Sequence, residues 1–108
     1  MFIEKGPGVW GTITLSIGVS PDMDSILGVY FLDHNETPGL GGRITEPWFC
    51  NQFKGKMGPF TIVPEGTSSK KDEFDAITGA TNTSKSVKIL INNTLEKAKK
   101  ILEKDIKQ

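Results

Sequence analysis

The last quarter of the chain constrains the fold more than any other stretch. Val87, Leu90, Ile91, Leu95, Ala98, Ile101, Leu102 and Ile106 recur at intervals of three and four, the spacing that lines apolar side chains along one face of an α-helix. A helix with one apolar face must bury it. At 108 residues and 36% hydrophobic content, the chain can build one modest core and is short of two. Residues 1–108 therefore read as a single domain in which the earlier residues supply the surface the helix covers. The opposite helix face carries Lys88, Lys97, Lys99, Lys100 and Lys104, broken up by Glu96, Glu103 and Asp105. This is the pattern of a solvated face, with lysines placed to suit the C-terminal end of the helix dipole.

The layer beneath reads as β-structure. Trp10, Thr12, Ile13, Thr14, Leu15 and Ile17 make residues 9–19 a strand, Pro21-Asp22-Met23-Asp24 a turn, and the apolar run of residues 26–32 a second strand, antiparallel to the first. The second run is the more continuously apolar and is expected nearer the sheet centre. Residues 33–42, Asp-His-Asn-Glu-Thr-Pro-Gly-Leu-Gly-Gly, are too rich in turn formers for a regular element. Ile44, Pro47, Trp48, Phe49 and Phe53 then suggest a short helix, with Thr45 as a possible N-cap and Pro47 in its first turn. Residues 60–63 are a third strand, 64–72 a surface connection, and 74–78 a fourth strand. The expected fold is α+β: an antiparallel sheet packed against the long C-terminal helix, with one shorter helix beside it.

Thirteen basic and thirteen acidic residues cancel, so no whole-molecule field favours nucleic acid or an anionic membrane. The single cysteine, Cys50, rules out an internal disulfide and any cysteine cluster for a metal, and is expected in the core. No apolar run approaches the ~20 residues of a membrane span, and the first residues lack a signal-peptide pattern, so the chain reads as soluble and without an anchor.

The chemistry concentrates just before the long helix. Asp75-Ala76-Ile77-Thr78-Gly79-Ala80-Thr81-Asn82-Thr83-Ser84 packs hydroxyls and small residues into the turn that enters it. Unpaired N–H groups and the positive dipole end make a helix start an anion site, and a glycine lets backbone approach a phosphate. Plain N-capping by Thr81, Thr83 or Ser84 explains one hydroxyl equally well. The residues alone leave these two readings open.

Residues 75–81 resemble the flavinylation motif of the FMN-binding domain family: Asp, two variable residues, Ser or Thr, then Gly-Ala-Thr. That family includes the G subunit of the Rnf electron-transport complex and the C subunit of the sodium-pumping NADH:quinone reductase. His34-Asn35-Glu36-Thr37-Pro38-Gly39-Leu40-Gly41 is similar to the loop after the second strand in these proteins, and Gly8-Val9-Trp10-Gly11 to their entry into the first. The resemblance implies that Thr81 holds FMN through a phosphoester. It also implies that a separate flavin transferase makes the bond, reading Asp75, Thr78, Gly79 and Ala80. The domain would then relay electrons between other redox subunits of a membrane-associated complex, on the extracytoplasmic face of a prokaryotic membrane.

On that resemblance Ser84 would be a further hydroxyl for the phosphate, Glu36, Thr37 and Leu40 would form a loop against the flavin, and Trp10, Leu40 and Trp48 would be walls for its ring. His34 reads as a hydrogen-bonding residue at a strand end. No acid–base pair or nucleophile–base grouping stands out, so no catalytic residue and no metal ligand is expected. The rival readings are a non-redox module that binds a nucleotide or phosphate, and a fragment of a flavin reductase.

Overall fold

The computed structural model describes residues 2–21 and 25–107, with side chains through Ile101. Strands β1 (Phe2–Pro7), β2 (Thr12–Val19) and β3 (Ile26–Asp33) come first. They are followed by a 3-10 turn (Gly41–Thr45), helix α1 (Pro47–Asn51), strands β4 (Thr61–Val63) and β5 (Glu73–Asp75), and helix α2 (Thr81–Lys107). The expected turn residues Asp22, Met23 and Asp24 lie outside the described residues, as do the side chains of Leu102, Glu103, Lys104, Asp105 and Ile106.

The mixed α+β architecture is as expected, with β1, β2 and β3 forming an antiparallel sheet in that order. Ile13, Leu15 and Ile17 of β2 alternate onto one face and are fully buried there, with Ile26 and Val29 of β3 beside them. Val87, Leu90, Ile91, Leu95 and Ala98 of α2 complete this core. Fully burying one such side chain is worth about 1.5–3 kcal/mol.

Four corrections concern the strands. The strand expected over residues 9–19 starts only at Thr12, because Val9 and Trp10 sit at the apex of a turn closed by Gly8 N–H donating to Gly11 O at 2.7 Å. β1 was not foreseen. Its six residues carry Glu4 and Lys5 and end at Gly6 and Pro7, so it is recognisable only through its pairing, Phe2 opposite Ile17 to Pro7 opposite Thr12. The central strand is β2, not β3, since the apolar run of β3 leaves Leu27, Tyr30 and Leu32 exposed. Lastly, β4 and β5 pair parallel to each other in a separate two-stranded sheet.

Helix α1 begins after Glu46, with Pro47 in its first turn. Thr45 is not its cap: the hydroxyl donates back to Gly42 O at 3.0 Å inside the preceding 3-10 turn. Both elements pack against β3 and the 3-10 turn also meets α2, so the glycine loop between β3 and that turn is carried to the N-terminal end of α2.

Candidate functional site

The segment entering α2 is shaped by its own small residues. Ala80 N–H donates to Ile77 O at 2.9 Å, closing a four-residue turn with Gly79 in third place. Gly79 has φ +82°, the left-handed value that a type II turn requires there and that side chains resist. Helix α2 starts directly after Ala80, whose carbonyl accepts from Ser84 N–H at 3.1 Å.

Ser84, expected to bind cofactor, is fully buried. Its hydroxyl accepts from Ile77 N–H at 3.0 Å and donates to Ala80 O at 2.9 Å, so it braces the turn from behind. Thr83 Oγ1 donates to Glu36 Oε1 at 2.9 Å. Ala80, at the capping position, has no side-chain acceptor. The first-turn N–H groups of Thr81, Asn82 and Thr83 lack intrahelical acceptors by helix geometry. The simple capping explanation therefore loses its candidates, and Thr81 itself is exposed.

Against this helix start the fold sets two distant loops. Thr37 O accepts from Leu40 N–H at 3.1 Å and Gly42 N–H at 2.9 Å, curling residues 37–42 tightly. Gly41 lies so close to α2 that a Cβ there would fall 2.5 Å from Thr83 Oγ1, an approach only glycine permits. The Gly8–Gly11 turn comes in from the other side.

Together they form an open cleft of about 400 Å³ lined by Val9, Trp10, Thr37, Leu40, Gly41 and residues 79–83. Trp10 is 68% and Leu40 47% exposed, so both present apolar surface to it. A second depression, lined by Ile62, Val63, Glu65 and Ala76 among others, shares Gly79 and Thr81 with the first.

The cleft thus gathers Trp10, Thr37, Leu40, Gly79, Ala80 and Thr81 from three parts of the sequence. Thr78 is exposed at its edge, its N–H donating to Glu65 Oε1 at 2.9 Å. Asp75 lies away from it. Its Oδ1 accepts from Ser68 N–H at 2.8 Å and its backbone is held at both ends by the Gln52 amide, so it ties down the 64–72 connection.

Glu36 is buried behind the cleft wall rather than in it. Trp48 is elsewhere: its ring lies edge-on to Phe49 and beneath Arg43, and its Nε1 donates to Glu46 Oε1 at 2.7 Å. This bond, with help from the Arg43 guanidinium, holds the Glu46 carboxyl below the usual range against a smaller opposing effect of desolvation.

His34 is a hydrogen-bonding residue at the end of β3, Nδ1 accepting from Glu36 N–H at 3.1 Å. Cys50 is half-buried rather than fully in the core, and burial pushes its thiol pKa up. Val9, Gly41, Asn82 and Thr83 also line the cleft; all four fall in the family-like or helix-entry segments of the sequence, but none is singled out from the sequence as a cofactor-binding residue.

Residues 8–96 match the FMN-binding domain family. The chain belongs to that family. This FMN-binding domain is 36% identical, over 89 residues, to the C subunit of the Na(+)-translocating NADH-quinone reductase of Neisseria meningitidis, a match covering 76% of this chain and 34% of that one. It is 39% identical, over 83 residues, to the G subunit of the proton-translocating ferredoxin:NAD(+) oxidoreductase complex of Clostridium ljungdahlii, covering 77% and 44%.

Among solved structures, it superposes with a TM-score of 0.80 and 38% identity on the crystal structure of the C subunit of the Na(+)-translocating NADH-quinone reductase from Parabacteroides distasonis. That superposition covers 91% of this chain and 53% of the other. The domain thus spans less than half the length of the Neisseria and Clostridium relatives. Among the described residues, no helix is long and apolar enough to cross a membrane.

Proposed function

We propose that this domain carries FMN, attached through a phosphoester to the Thr81 hydroxyl, and serves as an electron relay in a membrane-associated redox complex. The observation that carries the reading is the cleft itself. An exposed threonine at a helix start, without a side-chain cap among the described residues, stands beside two exposed apolar side chains, Trp10 and Leu40, brought there from elsewhere in the chain.

These residues fit the group chemically. The N–H groups of Thr81, Asn82 and Thr83 can donate to phosphate oxygens, and the positive end of α2 favours their charge. Gly79 keeps the backbone open to the phosphate, while Trp10 and Leu40 offer flat contact to the ring and the curled 37–42 loop offers backbone polar groups to its edge. FMN, when bound, supplies the one- or two-electron chemistry; the protein holds, orients and shields it. Nothing beside Thr81 within the cleft lining is a base able to activate its hydroxyl, and a threonine hydroxyl is a poor nucleophile unaided. A separate flavin transferase is therefore the proposed source of the bond, reading Asp75, Thr78, Gly79 and Ala80 and using FAD as donor: the Thr81 oxygen bonds to the FMN phosphorus, the pyrophosphate link of FAD breaks, and AMP leaves with the proton lost from the hydroxyl. Other redox subunits, on the extracytoplasmic face of the membrane, are the proposed electron partners.

The test is coexpression with a flavin transferase, followed by intact mass and in-gel fluorescence under denaturing conditions. One covalent FMN per chain is expected, absent in Thr81→Ala and partly retained in Thr81→Ser. Undiminished label in Thr81→Ala would move the attachment elsewhere, and an unlabelled wild-type chain would favour a non-redox phosphate-binding module. Turnover of a soluble reductant and acceptor would favour a flavin reductase instead.

A further inference from the structure

Glu36 is a carboxylate only 4% exposed, and among the described residues it forms no ion pair. Burying such a charge is expensive unless hydrogen bonds replace the water it loses. Here they come from two other parts of the chain. Val9 N–H donates to Oε1 at 3.0 Å and Trp10 N–H to Oε2 at 3.0 Å, so the carboxylate grips the apex of the Gly8–Gly11 turn with both oxygens. Thr83 Oγ1, from the first turn of α2, also donates to Oε1, at 2.9 Å. Gly41 closes over the pair, a Cβ at that position falling 3.0 Å from Glu36 Cβ.

Resting on the reading of the cleft as the flavin site, we propose that Glu36 is a positioning residue. It would key the turn bearing Trp10 to the helix start bearing Thr81, setting the separation of aromatic wall and attachment point without touching the cofactor. An apolar residue would fill the same space and leave three donors unsatisfied.

The geometry also says how a near-isostere must fail. A glutamine at 36 has one acceptor oxygen. With that oxygen toward Val9 and Thr83 it satisfies two donors and turns its amide group against the Trp10 N–H. In the reverse orientation the oxygen accepts from Trp10 while the amide group donates to the Thr83 hydroxyl, which can accept as well as donate, so the Val9 N–H is the group left without a partner. Either way, Glu36→Gln should release one of the two turn amides.

In the cofactor-free chain, amide hydrogen exchange at Trp10 or Val9 should quicken about tenfold in Glu36→Gln, the effect of losing one hydrogen bond to a charged group. Ile17 and Val29 in the sheet should not change. In the chain loaded with FMN by coexpressed transferase, the same variant should keep its covalent label while its flavin emission rises, since a ring no longer held beside Trp10 is less quenched. If Glu36→Gln fails to fold, Thr83→Val removes the helix-side bond alone. It should raise flavin emission as well, with Thr83→Ser restoring the wild-type value.

Unchanged exchange at both Trp10 and Val9 in a folded Glu36→Gln chain would overturn the clamp. So would a loosened turn amide with flavin emission identical to wild type, which would leave Glu36 a purely structural role. A wild-type chain that takes no flavin would instead strike the reading of the cleft, while the exchange measurement on the cofactor-free chain would still judge the clamp.

Discussion

Phe49, Phe53, Phe60 and Phe74 close on one another in the interior, whereas Trp10 and Leu40, just as apolar, stand open at the surface. Phe53 is fully buried, with ring centroids 5.0 Å from Phe74, 5.5 Å from Phe60 and 5.6 Å from Phe49. Each ring there is held by its neighbours, and edge-to-face pairs of this kind add to the gain from burial. Trp10 has no such enclosure. It is held from its backbone, through the Glu36 carboxylate, and its ring is left available. The difference shows how one small domain can present unsatisfied apolar surface without collapsing onto it: the stabilising contacts are apolar in the core and polar at the cleft.

The largest way to break that contrast is Phe53→Ala. Removing a ring from a closed cluster should cost about 3–5 kcal/mol in denaturant unfolding, a large share of the about 5–15 kcal/mol that holds a typical domain together. A loss below 1 kcal/mol would mean that the cluster is loosely packed.

Next is Gly79→Val, where a branched side chain must adopt φ near +82°. It should cost about 1–2 kcal/mol and, on the proposed function, block covalent labelling in a chain that circular dichroism shows to be folded. Native circular dichroism with full labelling would reduce Gly79 to a spacer.

Trp10→Ala should change stability by no more than about 0.5 kcal/mol, as for other exposed positions, because the Glu36 bonds are to its backbone. In the flavin-loaded chain it should nevertheless raise flavin emission strongly. A loss of several kcal/mol would show that Trp10 belongs to the core after all.

The smallest effect concerns Trp48, the tryptophan that remains in Trp10→Ala. The Glu46 carboxylate accepting its indole N–H has a folded pKa below the ordinary 4.5. Its contribution is therefore present above that value and lost as pH falls through the lower, folded pKa. Trp48 emission in the Trp10→Ala chain should stay constant down to about pH 4.5 and shift only below it. A shift centred above that pH would contradict the bond's direction of influence.

Much of the layout is legible in neighbouring residues. The three- and four-residue spacing from Val87 to Ile106 places α2 and its buried face, and of the described side chains named for that face Val87, Leu90, Ile91, Leu95 and Ala98 are buried while Ile101 is exposed. The β-favouring residues of the 9–19 run place β2, although the strand itself begins only at Thr12, and the pairing of β2 with β3 follows from two β-favouring runs separated by a short link. The Thr-Gly-Ala-Thr run announces a special turn before a helix, which Gly79 then makes.

The roles of individual site residues are another matter. Trp10 and Trp48 are equally good as flat walls on paper. The turn apex exposes one, while α1 folds the other against Phe49. Glu36 looks like a loop residue facing a ligand until its three donors are seen, and these lie 26, 27 and 47 positions away in the chain. Ser84 looks like another hydroxyl for a phosphate until its burial commits it to Ile77 and Ala80.

The sequence by itself determined the long helix, the hairpin and the turn at Gly79, because periodicity and turn chemistry act between residues a few positions apart. Only the tertiary structure decided that β1 exists and that β2 lies at the centre. It also decided that Trp10 rather than Trp48 faces the cleft and that Glu36 stands behind the wall. Each of those depends on which distant groups satisfy one another's hydrogen bonds and cover one another's apolar faces, and that is set by packing across the whole chain.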